Sequence, residues 1–214
     1  MTPRPLEQCR LYLCTPDRPD LEEFVAGCIE GGADIVQLRE KHLDAKPLID
    51  RALLVRRVCA ERGVPFIVND RPDLALEVAA DGVHVGQDDA PVSLARRILG
   101  PDAVVGLSTH GDADLADAGD RPVSYISAGP VEPTPTKPGR AGTGLDYVRR
   151  AVAESGVPVF VTGGVTPATV PALAAAGVRH FVVVRYLTES AQPAEAARRL
   201  RDAIDEAIDR PEGH

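Results

Sequence analysis

Pro158 to Arg185 reads PVFVTGGVTPATVPALAAAGVRHFVVVR, and this stretch decides the fold. Val159-Phe160-Val161 and Phe181–Val184 are apolar at every position and rich in β-branched side chains. Runs of this kind, without polar alternation, are expected as strands buried on both faces. Parallel sheets bury strands in that way, because the crossover helices cover them. Between the runs, Thr166-Pro167 offers an N-cap followed by proline at the first helical position, so a helix is predicted over Pro167–Ala176. The unit is strand, helix, parallel strand.

Outward from there the same alternation recurs. Strand-like runs stand at Arg10–Cys14, Asp34–Leu38, Pro65–Asn69, Gly82–Val85, Val104–Ser108, Ser124–Ala128, Pro158–Thr162 and Phe181–Arg185. Helical segments are predicted at Leu21–Glu30, Ala45–Glu61, Pro72–Ala79, Val92–Leu99, Asp112–Ala118, Leu145–Glu154, Pro167–Ala176 and Pro193–Asp209, with Gly31-Gly32 and Gly63 as C-caps. Eight strand–helix units in 214 residues predict an α/β fold, a (β/α)8 TIM barrel forming one domain across residues 1–214. An open doubly wound sheet uses the same alternation, but no GxGxxG opens a helix here, which weakens that alternative.

Bulk properties narrow the function. Hydrophobic residues make up 44% and charged residues 26%, the composition of a globular protein, and no apolar run approaches the ~20 residues of a membrane span. Met1–Arg10 has no apolar core of the secretory type, which places the protein in the cytoplasm. A net charge of −8 argues against a nucleic-acid or anionic-membrane partner, since both demand a basic face. Cys9, Cys14, Cys28 and Cys59 have neither zinc-site spacing nor disulfide density, so they read as small buried hydrophobes with reduced thiols. Oligomeric state is left open, a homo-oligomer included.

In a barrel, chemistry gathers where strands end at their C-terminal side. After strand two, alternation in Gln37-Leu38-Arg39-Glu40-Lys41 sends Gln37, Arg39 and Lys41 to one side, which brings two cations and an amide to the mouth. The other reading is a solvated charge cluster that begins the next helix. Strand three ends in Asn69-Asp70-Arg71 and strand four in His84-Val85-Gly86-Gln87-Asp88-Asp89, so adjacent strands each deliver a carboxylate. Magnesium takes one or two carboxylates and completes its shell with water and phosphate oxygens, which suits Asp70 and Asp89. Asp88 or Asp73 are alternatives, as is helix capping. His84 reads as a packed or hydrogen-bonded barrel residue.

Strand five ends in Ser108-Thr109-His110, where a hydroxyl can donate to a phosphate or cap a helix. Gly129–Gly144 is the one long irregular segment. It carries Thr134-Pro135-Thr136-Lys137, read as an anion clamp on a lid with glycine hinges. Gly163-Gly164 after strand seven and Val184-Arg185 after strand eight stand where such barrels commonly hold phosphate. The inventory fits a diphosphate on one substrate and a monophosphate on another.

The ordered set Gln-Leu-Arg-Glu-Lys, Asn-Asp-Arg, Gly-Val-His-Val-Gly-Gln-Asp-Asp, Gly-Pro-Val with Thr-Pro-Thr-Lys, and Gly-Gly-Val resembles the thiamine-phosphate synthases, from Gln37 to Arg185. The resemblance implies a Mg2+-dependent (β/α)8 enzyme that couples hydroxymethylpyrimidine diphosphate with a thiazole phosphate and releases pyrophosphate. It implies that Gln37, Leu38, Arg39, Glu40, Lys41, Asn69 and Lys137 bind the diphosphate substrate. Asp70 and Asp89 would hold Mg2+, and Ser108 would contact the pyrimidine. Thr134, Pro135, Thr136, Gly164, Val184 and Arg185 would line the thiazole phosphate, with Arg39 and Lys137 stabilising the departing pyrophosphate. One departure stands out: this family often carries a small hydroxyl residue where this chain has Arg185. That arginine either contacts phosphate or pairs with an acidic neighbour. A thiazole tautomerase on the same barrel, and a non-catalytic sensor of a phosphorylated ligand, are the competing functions.

Overall fold

The computed structural model describes residues 4–133 and 141–209. Eight strands pair in sequence order and close into a barrel, β8 returning to β1, every pairing parallel. They are β1 (Leu11–Thr15), β2 (Ile35–Leu38), β3 (Phe66–Asn69), β4 (Gly82–Val85), β5 (Val104–Thr109), β6 (Tyr125–Ala128), β7 (Val159–Thr162) and β8 (His180–Val183). The helices are α1 (Leu21–Glu30), α2 (Ala45–Arg62), α3 (Pro72–Glu77), α4 (Val92–Leu99), α5 (Asp112–Gly119), α6 (Gly144–Glu154), α7 (Val170–Ala175), α8 (Arg185–Thr188) and α9 (Pro193–Asp209). The predicted (β/α)8 architecture is the observed one. No helix among the described residues is long and apolar enough to cross a membrane.

The two-residue period of a strand sorts side chains between two cores. Leu11 and Leu13, Val36 and Leu38, Phe66 and Val68, and Val83 and Val85 face outward into the layer shared with the helices. Tyr12 and Cys14, Ile35, Ile67, Tyr125, Phe160 and Val182 pack together in the barrel's interior. Both sets are withdrawn from water, which is why the strands read as continuous apolar runs rather than alternating ones. The four cysteines are free thiols and all are buried. Burial pushes the Cys9 thiol up to about 11 and those of Cys28 and Cys59 up to about 12, which leaves them protonated and inert.

Several boundaries differ from expectation, most by one or two residues, and two of the differences bear on the site. The helix after β7 begins at Val170, not Pro167, with Thr169 as its N-cap. Thr166 and Thr169 hydrogen-bond each other through hydroxyls and N–H groups, and that local turn takes up the residues expected to start the helix. Strand β8 stops at Val183, where its pairing with Leu13 ends, so Arg185 is not a strand residue. Val184 breaks the strand with φ −123° and ψ −88°, and Arg185 opens α8, a short helix the sequence reading did not foresee.

The N-terminal end of the barrel is closed by Asp34, whose side chain is 2% exposed. Its carboxylate accepts the N–H groups of Arg10 and Leu11 at 2.8 and 3.1 Å and the Arg201 guanidinium at 2.8 Å, and it pairs with Arg4. Chain start, β1, β2 and α9 are thereby tied at one point. Asp34→Ala leaves two backbone donors and two guanidinium groups, those of Arg4 and Arg201, without this acceptor. It should lower stability by about 3 kcal/mol, seen as a fall of roughly 10 °C in Tm, with little change at the opposite end of the barrel. A Tm within a degree or two of the parent would show that water replaces the carboxylate.

Candidate active site

A cavity of about 530 Å³ opens at the C-terminal ends of the strands, and all eight strands reach it. Each strand contributes to the wall, through Cys14, Gln37, Asn69, His84, Ser108, Ser127, Thr162 and Val182 in chain order. They are the inward-facing members of the same period-two pattern that builds the core, so the fold carries the site without extra machinery.

The most acidic part of the mouth lies where β3 and β4 end. Asp70 adopts a left-handed backbone, φ 62°, and its N–H donates to the His84 carbonyl at 2.8 Å. That conformation costs a non-glycine residue about 1 kcal/mol, and it brings the carboxylate back over the cavity, which Asp70 lines. Lys41 Nζ pairs with Asp70 Oδ2 at 2.7 Å. Asp89 folds across the following turn, its Oδ2 accepting the Gly86 N–H at 2.9 Å, and faces Asp70 closely enough for a carboxyl–carboxyl hydrogen bond.

Two carboxylates with one lysine between them are not electrically balanced. Burial pushes the Asp70 carboxyl above its ordinary range; Lys41 opposes that rise and the neighbouring Asp89 adds to it. Burial also acts to raise Asp89. The hydrogen bond from Asp70, the Gly86 N–H and the charge of Lys41 outweigh it and hold Asp89 below the ordinary range. A divalent cation bound between the two carboxyls would favour the form in which both are ionised. Its donor set is all oxygen, which suits a hard cation and not zinc. No group of three or more His, Cys, Asp or Glu placed to hold a metal occurs among the described residues. Two carboxylates, with the rest of a coordination shell left to water and ligand oxygens, would suit magnesium.

Neither carboxylate caps a helix: α3 and α4 have Arg71 and Pro91 at their N-cap positions, without a side-chain bond. Asp73, one alternative ligand, is held outside the cavity by Arg71 at 2.6 Å. Asp88 lines the mouth but is exposed.

Around this acidic corner stand groups suited to an anion. Arg39 lines the cavity, and its guanidinium forms no ion pair or hydrogen bond among the described residues. Asn69 is 6% exposed and its Nδ2 has no partner among the described residues. A buried amide donor without an acceptor costs about 1–3 kcal/mol, which a ligand oxygen would offset. Gly163 and Gly164 have φ of 96° and 78°, and both line the cavity. A Cβ on Gly163 would lie 2.6 Å from the Val131 nitrogen, so only glycine fits beneath the β6 loop. Arg185, at the start of α8, also lines the cavity and makes no ion pair among the described residues, so its pairing with an acidic neighbour is not observed.

Not every expected residue reaches the cavity. Leu38 points into the helix–strand layer, and Glu40 accepts the N–H groups of His42 and Asp17 instead. Period-two alternation places both opposite Gln37 and Arg39. Thr134, Pro135, Thr136 and Lys137 lie outside the described residues, as does the middle of the expected lid. Conversely, Tyr12 and His110 line the cavity and Gln87 donates to the Ser108 carbonyl at 2.7 Å, although none was singled out as a site residue. For Tyr12 the signal was available: it stands two residues before Cys14 on an inward-facing row.

Fold and mouth together define the class: a (β/α)8 barrel enzyme whose polar and charged groups converge at the C-terminal ends of the strands. Residues 11–187 match the family described as thiamine monophosphate synthase. The thiamine-phosphate synthase of Mycobacterium sp. (strain KMS) is 42% identical over 212 residues, covering 93% of this chain and 94% of that protein. That of Thermobifida fusca (strain YX) is 46% identical over 202 residues, covering 92% of each. The solved thiamine phosphate pyrophosphorylase from Pyrococcus furiosus superposes with a TM-score of 0.86 at 28% identity, covering 94% of this chain and 98% of that one. This chain belongs to the thiamine monophosphate synthase family.

Proposed function

We propose that the protein is a Mg2+-dependent thiamine-phosphate synthase that joins a hydroxymethylpyrimidine diphosphate to a thiazole phosphate and releases pyrophosphate. The observation that carries this reading is the Asp70–Asp89 pair beside Lys41 and Arg39, the latter without an ion pair among the described residues, a combination suited to a diphosphate. Asp70 and Asp89 would hold Mg2+, which when bound supplies positive charge against the diphosphate oxygens.

Arg39 takes up the charge that grows on the departing pyrophosphate, with Lys137 assigned the same role from sequence alone. Asn69 donates its free amide to a diphosphate oxygen, and Gln37 and Ser108 face the pyrimidine. Gly164, Val184 and Arg185 line the thiazole phosphate, and Thr134, Pro135 and Thr136 join them from sequence alone. The methylene carbon–oxygen bond breaks and both electrons leave with pyrophosphate. The aminopyrimidine stabilises the resulting cation, and the thiazole nitrogen supplies the pair for the new carbon–nitrogen bond. No protein nucleophile is needed. The substrates are small molecules, the setting is the cytoplasm, and no nucleic acid or membrane takes part.

Pyrophosphate should appear only when both substrates and Mg2+ are present, vanish on addition of EDTA and return with excess Mg2+. A thiazole tautomerase needs no pyrimidine site; isomerisation of thiazole phosphate supplied alone, without pyrophosphate release from the pair, would replace the synthase reading. Saturable, metal-independent binding with no turnover would make the protein a sensor.

A further inference from the structure

A single hydrogen-bond chain crosses the barrel interior just beneath the mouth. Gln37 Nε2 donates to Tyr12 Oη at 2.7 Å, and Tyr12 Oη lies 2.9 Å from Tyr125 Oη. Tyr125 Oη lies 3.0 Å from His84 Nδ1, and His84 Nε2 lies 2.9 Å from Ser108 Oγ. Five side chains from β1, β2, β4, β5 and β6 are thus joined in a row, and all are buried.

The direction of every bond follows from the first. Cys14 Sγ–H donates to Gln37 Oε1 at 3.5 Å, which turns the amide so that its NH2 faces Tyr12. Tyr12 Oη accepts there and must send its own hydrogen to its one other hydrogen-bond partner among the described residues, Tyr125 Oη. Tyr125 in turn sends its hydrogen to His84 Nδ1. An accepting Nδ1 leaves the proton of the neutral imidazole on Nε2, and Nε2–H donates to Ser108. The hydroxyl hydrogen of Ser108 is then directed to no group among the described residues and is available to an acceptor in the cavity, which Ser108 lines. In the opposite direction Ser108 would spend that hydrogen on His84.

We infer that Tyr12, Tyr125 and His84 are positioning residues that make Ser108 a hydrogen-bond donor to the ligand, so that an acceptor atom, such as a ring nitrogen or an oxygen, faces it and not an amino N–H. The packing is arranged around the relay. A Cβ at Gly106 would lie 2.1 Å from Tyr125 Cζ, so a glycine on β5 admits that ring. Tyr125 stacks on His84 with centroids 5.6 Å apart, and Phe160 meets both tyrosine rings edge-on at 5.1 and 5.4 Å. Burial raises both phenols far above neutrality, which keeps both hydroxyl hydrogens in place.

The donor assignment for Ser108 rests on the proposed synthase reading only for the identity of the ligand; the tautomer of His84 does not. Proton–nitrogen correlation spectra of histidine-labelled, ligand-free protein at about pH 8, above the imidazole range, should show His84 in the Nε2–H form, assigned by its loss in His84→Asn. An Nδ1–H form overturns the proposal whatever the enzyme does. The coupling is tested by a double-mutant cycle. Tyr125→Phe keeps the ring and should lower kcat/KM about tenfold, the worth of one hydrogen bond, and should cause no further loss in a Ser108→Ala background. A multiplicative loss in the double variant means that Tyr125 acts only through packing and overturns the relay.

Discussion

Arg39→Ala is expected to lower kcat/KM for pyrophosphate release about a hundredfold to a thousandfold, the range for removing one preorganised donor from a site of developing charge, while Tm stays where it was. The split follows from geometry. Arg39 lines the cavity without an ion pair among the described residues, so nothing in the ligand-free fold is lost with it. Removing such a residue is usually within about 0.5 kcal/mol of neutral. Its nearest cationic neighbour on the same loop, Lys41, is already engaged with Asp70 at 2.7 Å and cannot replace it without giving up that pair. Arg39→Lys should recover part of the rate, because a single ammonium keeps the charge but not the two-pronged geometry that matches phosphate oxygens. A stability loss with unchanged activity would reverse the assignment.

Asp70→Asn is expected to have the larger effect, a fall of about a thousandfold in kcat at fixed Mg2+, since several kcal/mol of charge stabilisation depends on the cation. Asparagine tolerates the left-handed backbone observed at φ 62°, so the substitution removes charge and leaves the turn in place. Relief of the two facing carboxylates should leave the ligand-free protein as stable as the parent or slightly more so. A readout independent of turnover accompanies this. Mg2+ binds the folded state and should raise the parent's Tm, an increase the variant should lack. If Mg2+ protects Asp70→Asn as well as it protects the parent, the cation sits elsewhere.

Most of the barrel was legible because its physics is local and repetitive. Strand β4 and helices α1 and α4 fall where the sequence put them, at Gly82–Val85, Leu21–Glu30 and Val92–Leu99. Asp70 and Asp89 were legible as a pair because strands three and four are neighbours in any barrel wound in chain order. Misreadings came where two local signals compete. Thr166-Pro167 carries every mark of a helix start, yet a hydroxyl exchange with Thr169 forms a turn first. Phe181–Arg185 reads as one strand, but pairing with β1 ends at Val183 and the apolar run continues into the break before α8. Leu38 and Glu40 were carried into the site by family resemblance although alternation alone turns them away from Gln37 and Arg39. The Gln37–Tyr12–Tyr125–His84–Ser108 chain spans 113 positions of sequence, from Tyr12 to Tyr125, and only barrel closure brings its members together.

The central claim is most directly tested by supplying purified protein with the pyrimidine diphosphate, the thiazole phosphate and Mg2+, and measuring thiamine phosphate and pyrophosphate in the same samples over time. The account predicts that both appear together in equal amounts, and that neither appears when a substrate or the metal is withheld. Pyrophosphate without the coupled product, or a folded protein that yields neither, would contradict it.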